Sequence, residues 1–357
     1  MGNSKAGLPP DRKIGGFLEL DLPLASPAGR SAWQVMTRDD AGTLSGRTAR
    51  SVLSVILQAV RPGTIWYPAY CCPEMVLGPG DAQVRFFPVG PSLRPDPGWL
   101  EPRLEPGDAV IVIDYFGCVP EPGVRALAAT RPDVFWIEDC AQALLPEIPW
   151  GDWLLFSPRK LFGVADGGLG ICRNPEKALS PARPARPRDT LTDLARLAPI
   201  LWRFEDRAAA ANDIWYQAFR DGEALSFGDG LDSAPADISQ LTRRLLQSID
   251  GDRVIAARRA NAACLHDCLP PRLRFWSDCP SAPLLGYPVL LQDRDTVAAR
   301  LAHRGIFCPV HWRSLLAPAA EFPDEHALSA TILTLPCDQR YRPADMTGMV
   351  DALLECL

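Results

Sequence analysis

The chain has 357 residues, 47% hydrophobic and 22% charged, an ordinary composition with enough length for one large domain and a smaller one. Its net charge of −6 comes from 37 basic and 43 acidic residues interspersed along the sequence, so no basic stripe is present to hold nucleic acid or an anionic membrane. No apolar stretch approaches the ~20 residues of a membrane span, and the opening MGNSKAGLPPDRKIGG lacks a signal-peptide core and has Ala6 where myristoylation asks for a hydroxyl, so small-molecule partners and a cytoplasmic location are expected.

The first clear element is a helix over SGRTARSVLSVILQAV, expected to open at Ser45-Gly46. Strand-like apolar runs follow in TIWYPAY, VRFFPV, AVIVIDYFG, VFWIEDC, WLLFS and GLGICR. Continuous apolar strands alternating with helices predict a largely parallel sheet covered on both faces, with ligands at the carboxyl ends of its strands. A Pro/Arg-rich break from Pro181 to Arg188 precedes a predicted helix from Leu191 to Arg220. The polar stretch SFGDGLDSAPADIS then leads to a long helical region ending near Leu269. From Ser281 the pattern becomes strand LLGYPVLL, helix RDTVAARLAHRG, strand IFCPVHW and a last helix after Pro343. The fold class is therefore α/β: a large domain over residues 1–245 and a small C-terminal α+β domain over 246–357.

Three stretches carry chemistry. In DWLLFSPRKLFGVADGGLGICR a strand ends at Phe156, and the next turn holds Ser157 and Lys160 beside Leu161 and Phe162. Apolar neighbours desolvate an amine and move it toward nucleophilic competence, although a lysine at a strand end is by itself usually a solvated surface residue. Ser157 in that turn can donate to a phosphate. In VFWIEDCAQAL an apolar strand ends in Glu138 and Asp139. Asp139 can face a pyridine nitrogen, and equally the two acids can simply open a solvated loop. In LSGRTARS the amides of a helix start at Ser45 and Gly46 would receive a phosphate, with the Thr48 hydroxyl beside them; Ser-Gly is also a plain cap.

Taken together, the succession SGRTA, YPAY, DYFG, IEDCAQA and SPRK-(x)5-DGG resembles the sugar aminotransferases of the DegT/DnrJ/StrS group. GGFLELDLP, GIFCPVHW and LPCDQRY extend the resemblance over nearly the whole chain, within a divergent SPRK-containing subgroup. The resemblance implies fold type I with pyridoxal 5′-phosphate, Lys160 forming the Schiff base and shuttling the proton, and Asp139 keeping the pyridine nitrogen protonated. Gln142 would lie near the phenolic oxygen, and Ser157 with the Gly46 and Arg47 amides would hold the phosphate. It also implies a homodimer and transfer of an amino group from a donor such as glutamate to a keto-sugar or related carbonyl.

The departures from the family pattern are specific. Ser157 precedes Lys160 by three residues where many members have five, and Arg47 replaces a threonine. The ring-stacking aromatic would fall near Cys72, which makes Tyr70 the candidate. Asp114 stands where histidine is common. Arg159 is a candidate carboxylate or phosphate clamp, set against a structural ion pair, and His311 and Trp312 are candidate substrate contacts, set against core packing. DQRY is given no role.

Competing readings are a lyase or dehydratase on the same fold and a non-catalytic cofactor-binding protein. Family dehydrases carry histidine at the lysine position, so Lys160 favours transamination. No strand is followed by spaced glycines of the dinucleotide-binding kind. The eleven scattered cysteines read as reduced thiols, and no metal is expected: Cys264 and Cys268 share a helix, but His266 falls on another face.

Overall fold

The computed structural model describes residues 13–22, 27–38, 42–120, 122–144, 148–179, 190–205, 212–227 and 237–357. Residues 1–12 of the opening stretch read for targeting, the break at 181–188 and most of the 226–239 stretch lie outside the described residues.

Strand β1 (Ile14–Gly15) precedes helix α1 (Ala32–Thr37), which Ser31 and Gln34 cap reciprocally. Next come β2 (Leu44–Gly46), α2 (Ala49–Val60), β3 (Thr64–Pro68), β4 (Gln83–Phe87), α3 (Pro97–Leu100), β5 (Ala109–Ile113), α4 (Pro122–Thr130), β6 (Phe135–Asp139), β7 (Trp153–Phe156) and β8 (Gly168–Cys172). The rest of the chain forms α5 (Thr190–Glu205), α6 (Asn212–Phe227), α7 (Gln240–Ser248), α8 (Gly251–Cys268), β9 (Gly286–Leu290), α9 (Arg294–His303), β10 (Ile306–Phe307), α10 (Pro323–Thr331), β11 (Ile332–Pro336) and α11 (Pro343–Cys356).

Seven strands make the central sheet in the order β2-β8-β7-β6-β5-β3-β4. Strands β4, β3, β5, β6 and β7 run parallel, while β8 returns antiparallel to β7 and β2 is antiparallel to β8. Every residue of β5 (AVIVI), β6 (FWIED) and β7 (WLLF) is buried, as expected of largely apolar strands covered on both faces. The carboxyl ends of β5, β6 and β7 thus open side by side, and the acids and the lysine follow there. Gly168 is required where β8 crosses α2: a Cβ there would lie 2.2 Å from the Thr48 carbonyl.

The C-terminal portion pairs β9 with β11 antiparallel, under α8, α9 and α11. Strand β1 pairs with β10, so the N-terminal arm joins this portion, and Leu20 N–H then docks on Ile200 O of α5 at 2.9 Å. Helix α8 spans two cores. Val254 and Ile255 pack with Phe156, Leu161 and Phe162, whereas Ala262 and Leu265 pack with Tyr287, Leu333 and Met349.

Three predicted helices need correction. The first helix opens at Ala49 with Thr48 as its cap, and Ser45 and Gly46 belong to strand β2. Thr48 accepts from Ser51 N–H while the Ser51 hydroxyl accepts from Thr48 N–H, a capping box that fixes the start three residues later. The span expected as one helix from Leu191 to Arg220 is two, α5 and α6, the second reaching Phe227. The long helical region is likewise two, α7 and α8, divided at Ile249-Asp250, where Asp250 caps α8.

Candidate active site

Lys160 ends a turn, Pro158–Lys160, directly after β7, and its N–H donates to Ser157 O at 3.0 Å. It is half-buried, whereas Phe156, Leu161 and Phe162 around it are fully buried. Asp139 closes the adjacent strand β6, in register with Leu155 of β7. It is 5% exposed, and Ala141 N–H donates to its Oδ1 at 2.9 Å. Burial pushes the Asp139 carboxyl up, while the positive charge of Lys160 and the Ala141 bond oppose the rise. Gln142, also buried, accepts from Phe116 N–H at 2.7 Å and so ties the loop after β6 to the loop after β5. The two groups on which the sequence reading rests most are therefore neighbours at adjoining strand ends.

At the expected phosphate end the residues are placed differently from one another. Ser157 is buried in the lysine turn. Arg47 O accepts from Gly167 N–H at 2.6 Å, which fixes the glycine segment against the entry to α2. Gly46 is crowded, since a Cβ would meet Ser51 Oγ and Val52 Cγ2 at 3.0 Å. Ser45 donates to Asp237 Oδ1 at 2.5 Å and accepts from Arg243 at 3.2 Å, so its hydroxyl is committed to α7 and the chain before it. Thr48 is committed to its cap.

A cavity of about 960 Å³ opens between these strand ends, the N-terminal arm, the α5–α6 pair and the C-terminal portion. Lys160, Arg159, His311 and Trp312 line it, as does Cys72. Asp139, Gln142, Ser157, Ser45, Gly46, Arg47 and Tyr70 are not among its lining residues. The Tyr70 ring is buried 5.4 Å from Trp312 and 6.0 Å from Tyr115, and its hydroxyl donates to His311 O. Cys72 takes the open position instead. Its thiol donates to Glu74 Oε2 at 2.8 Å, and burial pushes it up to about 11.

His311 Nδ1 lies 3.0 Å from Thr334 Oγ1, with Phe116 and Trp312 edge-on to the ring. Burial, helped by the charge of Lys160, pulls the imidazole down to about 4, so it is neutral at physiological pH.

Several residues that shape the cavity were not singled out from sequence. Seven arginines and Lys160 line it against three acids, Glu74, Asp295 and Asp338. Arg196, Arg203 and Arg220 come from α5 and α6; no motif marks them, since on a helix pattern they read as a solvated face. Arg203 donates to Gly15 O at 2.7 Å, and Phe17 stacks on Phe219 at 4.7 Å, so this pair of helices is clamped to the arm. Arg258, 1% exposed in the middle of α8, donates to Leu284 O, Leu285 O and Leu161 O and joins the lysine turn to the C-terminal portion. The DQRY segment acquires a role as well. Arg340 bridges Asp338 and Glu19, Gln339 donates to Leu161 O, and the Tyr341 hydroxyl accepts from Gly15 N–H. Cys264 and Cys268 lie 4.0 Å apart on α8, while His266 faces Tyr287.

Comparison with solved structures places this architecture. DesV of S. venezuelae, solved in complex with a ketimine intermediate, shares 18% identity over 91% of this chain and 86% of its own, at a TM-score of 0.61. Spr1654 of Streptococcus pneumoniae, assigned as a sugar aminotransferase and solved in its PMP form, matches 96% of this chain and 98% of its own at 14% identity and a TM-score of 0.63. The fold is that of the sugar aminotransferases. A DegT DnrJ EryC1 StrS aminotransferase from Brucella abortus shares this sugar-aminotransferase fold at 18% identity and a TM-score of 0.57, over 88% of this chain and 85% of its own. No family model and no curated protein sequence matches the chain. Among the described residues no helix is long and apolar enough to cross a membrane.

The donors at the site fit pyridoxal phosphate at two of its three ends. A buried carboxylate suits the ring nitrogen, and a half-buried amine at the next strand end suits the aldehyde. The phosphate end is narrower than the sequence implied, because Ser45 and Thr48 have partners within the protein.

Proposed function

We propose that this protein is a pyridoxal-phosphate-dependent aminotransferase that moves an amino group from an amino acid, glutamate being the expected donor, to a keto-sugar or related carbonyl. The observation that carries the reading is the buried carboxylate of Asp139 at the end of the strand beside the one that leads to Lys160, whose amine lines a large cationic cavity. Pyridoxal phosphate bound there supplies an electron sink for the carbanion left when an amino acid loses its α-proton.

The chain's own residues do the rest. Lys160 holds the cofactor through Nζ and, once released, carries the proton from the substrate α-carbon. Asp139 keeps the ring nitrogen protonated, and a carboxylate sheltered from water does this better than an exposed one. Gln142 would lie near the phenolic oxygen of the bound cofactor, and Ser157 with the amides at Gly46 and Arg47 would receive its phosphate. Arg159 and the arginines of α5 and α6 draw in anionic groups of donor or acceptor, while neutral His311 and Trp312 border the reacting carbons.

A homodimer in the cytoplasm completes the reading. Support for the dimer comes from α5 and α6, which expose Leu194, Leu201, Trp202 and Ile214, the last at 67%, beside the stacked rings of Trp202 and Trp215. The visible absorption of protein reconstituted with pyridoxal phosphate tests the function. A band that shifts when glutamate is added supports turnover. A stable band that answers to no amino donor favours a binding protein without turnover.

A further inference from the structure

Beneath the proposed cofactor site lies a second group of acids that the mechanism does not use. Asp114 follows β5 and Glu138 is the penultimate residue of β6; both are completely buried. Because side chains alternate along a strand, Glu138 points to the face opposite Asp139. Its Oε2 accepts from Trp150 N–H at 2.7 Å and Gly151 N–H at 3.0 Å. Asp114 Oδ2 accepts from the Cys140 thiol at 3.6 Å. The remaining oxygens, Asp114 Oδ1 and Glu138 Oε1, are buried and have no donor. The facing atoms of Asp114, Glu138 and Cys140 all lie within 4.8 Å of one another.

Two ionised carboxylates in such a place leave two oxygens unsatisfied and two like charges in contact, which is strongly unfavourable. One proton removes both problems. Carried on Asp114 and donated to Glu138, it satisfies both orphan oxygens and leaves one negative charge on Glu138, which the Trp150 and Gly151 amides already face. Arg173 grips the carbonyls of these same two residues at 2.8 Å and brings a positive charge close. Burial, and Glu138 beside it, hold the Asp114 carboxyl well above the usual range. The other titratable groups near the pair are Asp139 at the end of β6, Cys140 on the loop after it and Cys118 after β5; burial keeps both thiols protonated. A thiol that donates to Asp114 is not offering a thiolate to a metal, so a proton fits the cluster better than a cation.

The pair sits where the loops after β5 and β6 meet. Asp114 N–H donates to Asp139 O at 3.1 Å, and Phe116 N–H, two residues on, donates to Gln142. We propose that Asp114 and Glu138 share one buried proton and, as positioning residues, use it to lock the loop that presents Asp139 and Gln142. The role of that loop rests on the function proposed above; the shared proton does not.

Infrared spectroscopy on protein freed of pyridoxal phosphate, at about pH 7.5, tests the proton directly. A carboxylic-acid carbonyl band is expected in the wild type, retained in Asp139→Asn and lost in Asp114→Asn. Absence of the band, its loss in Asp139→Asn alone, or a stoichiometric metal found by elemental analysis overturns the proposal. Amide hydrogen exchange of residues 139–144 in the same cofactor-free protein tests the locking. Asp114→Asn, whose amide replaces the donated hydrogen, is expected to exchange like the wild type, and Asp114→Ala at least about tenfold faster. Equal acceleration in Asn and Ala, or none in either, refutes the positioning role; if the Ala variant does not fold, accelerated exchange in the Asn variant refutes it alone. The wild type's affinity for pyridoxal phosphate should fall at alkaline pH as the proton is lost, and that of Asp114→Asn should not. An alkaline fall shared by both contradicts the assignment. A wild type that binds no pyridoxal phosphate at all refutes the proposed function, and the infrared result still decides the proton.

Discussion

His311 offers a prediction that can be worked from the structure. In the folded protein its imidazole is pulled from 6.5 to about 4, because burial beside Phe116 and Trp312 penalises the charged ring and Lys160 repels it. Between those two pH values the unfolded chain binds the proton and the folded one does not, so stability falls as pH drops through that window. The full gap corresponds to a ceiling of about 3 kcal/mol; the residue is half-buried, and solvent screening lowers the expectation to about 2 kcal/mol. Asp21, Asp114, Glu138 and Asp139 have raised carboxyls and act in the opposite sense, since their stability is present at low pH and lost as pH rises through their folded values. The assay is therefore a difference: urea unfolding of the wild type and of His311→Gln, which cannot take the proton, at about pH 7 and about pH 4.5. The wild type should lose about 2 kcal/mol more than the variant over that interval. Parallel curves would mean that the ring is solvated, and would refute the enclosed site described around it.

Gly163→Ala should cost about 3 kcal/mol and loosen the arm, because its Cβ would come within 1.7 Å of Glu19 O; thermal unfolding and limited proteolysis of the arm measure it. Arg258→Ala should destabilise by about 3 kcal/mol by emptying a fully buried site and removing the bonds that tie the Leu161 carbonyl to those of Leu284 and Leu285, and Arg258→Lys should not restore it, because an ammonium lacks the planar fork. Asp139→Asn should lower transamination by about a hundredfold or more while the protein still unfolds cooperatively, measured as single-turnover absorbance change with glutamate. Trp202→Glu combined with Ile214→Glu should convert a dimer to a monomer in light scattering; an unchanged mass would remove α5 and α6 from the interface.

The parallel core was legible because β5, β6 and β7 are continuous apolar runs that end where the chemistry begins, at Asp139 and before Lys160. The start of α2 was not, because its capping box uses Ser51 in place of the usual Glu or Gln and leaves Ser45-Gly46 looking like the cap. Tyr70 lies outside the cavity lining and Cys72 within it for a reason no local pattern carries: the Tyr70 hydroxyl donates to His311 O, 241 residues away. Arg258 and the arginines of α5 and α6 are equally silent in sequence, since a helix pattern does not say which of its charged residues another segment will enclose. Asp114 was noticed as a departure from histidine, but its meaning depends on Glu138 across the strand boundary.

The central claim is that Lys160 bears the cofactor. Borohydride reduction of the pyridoxal-phosphate-loaded protein, followed by proteolysis and mass spectrometry, should place the pyridoxyl group on Lys160 alone and on no residue of Lys160→Ala. A label on another lysine, or equal labelling of the variant, would contradict it.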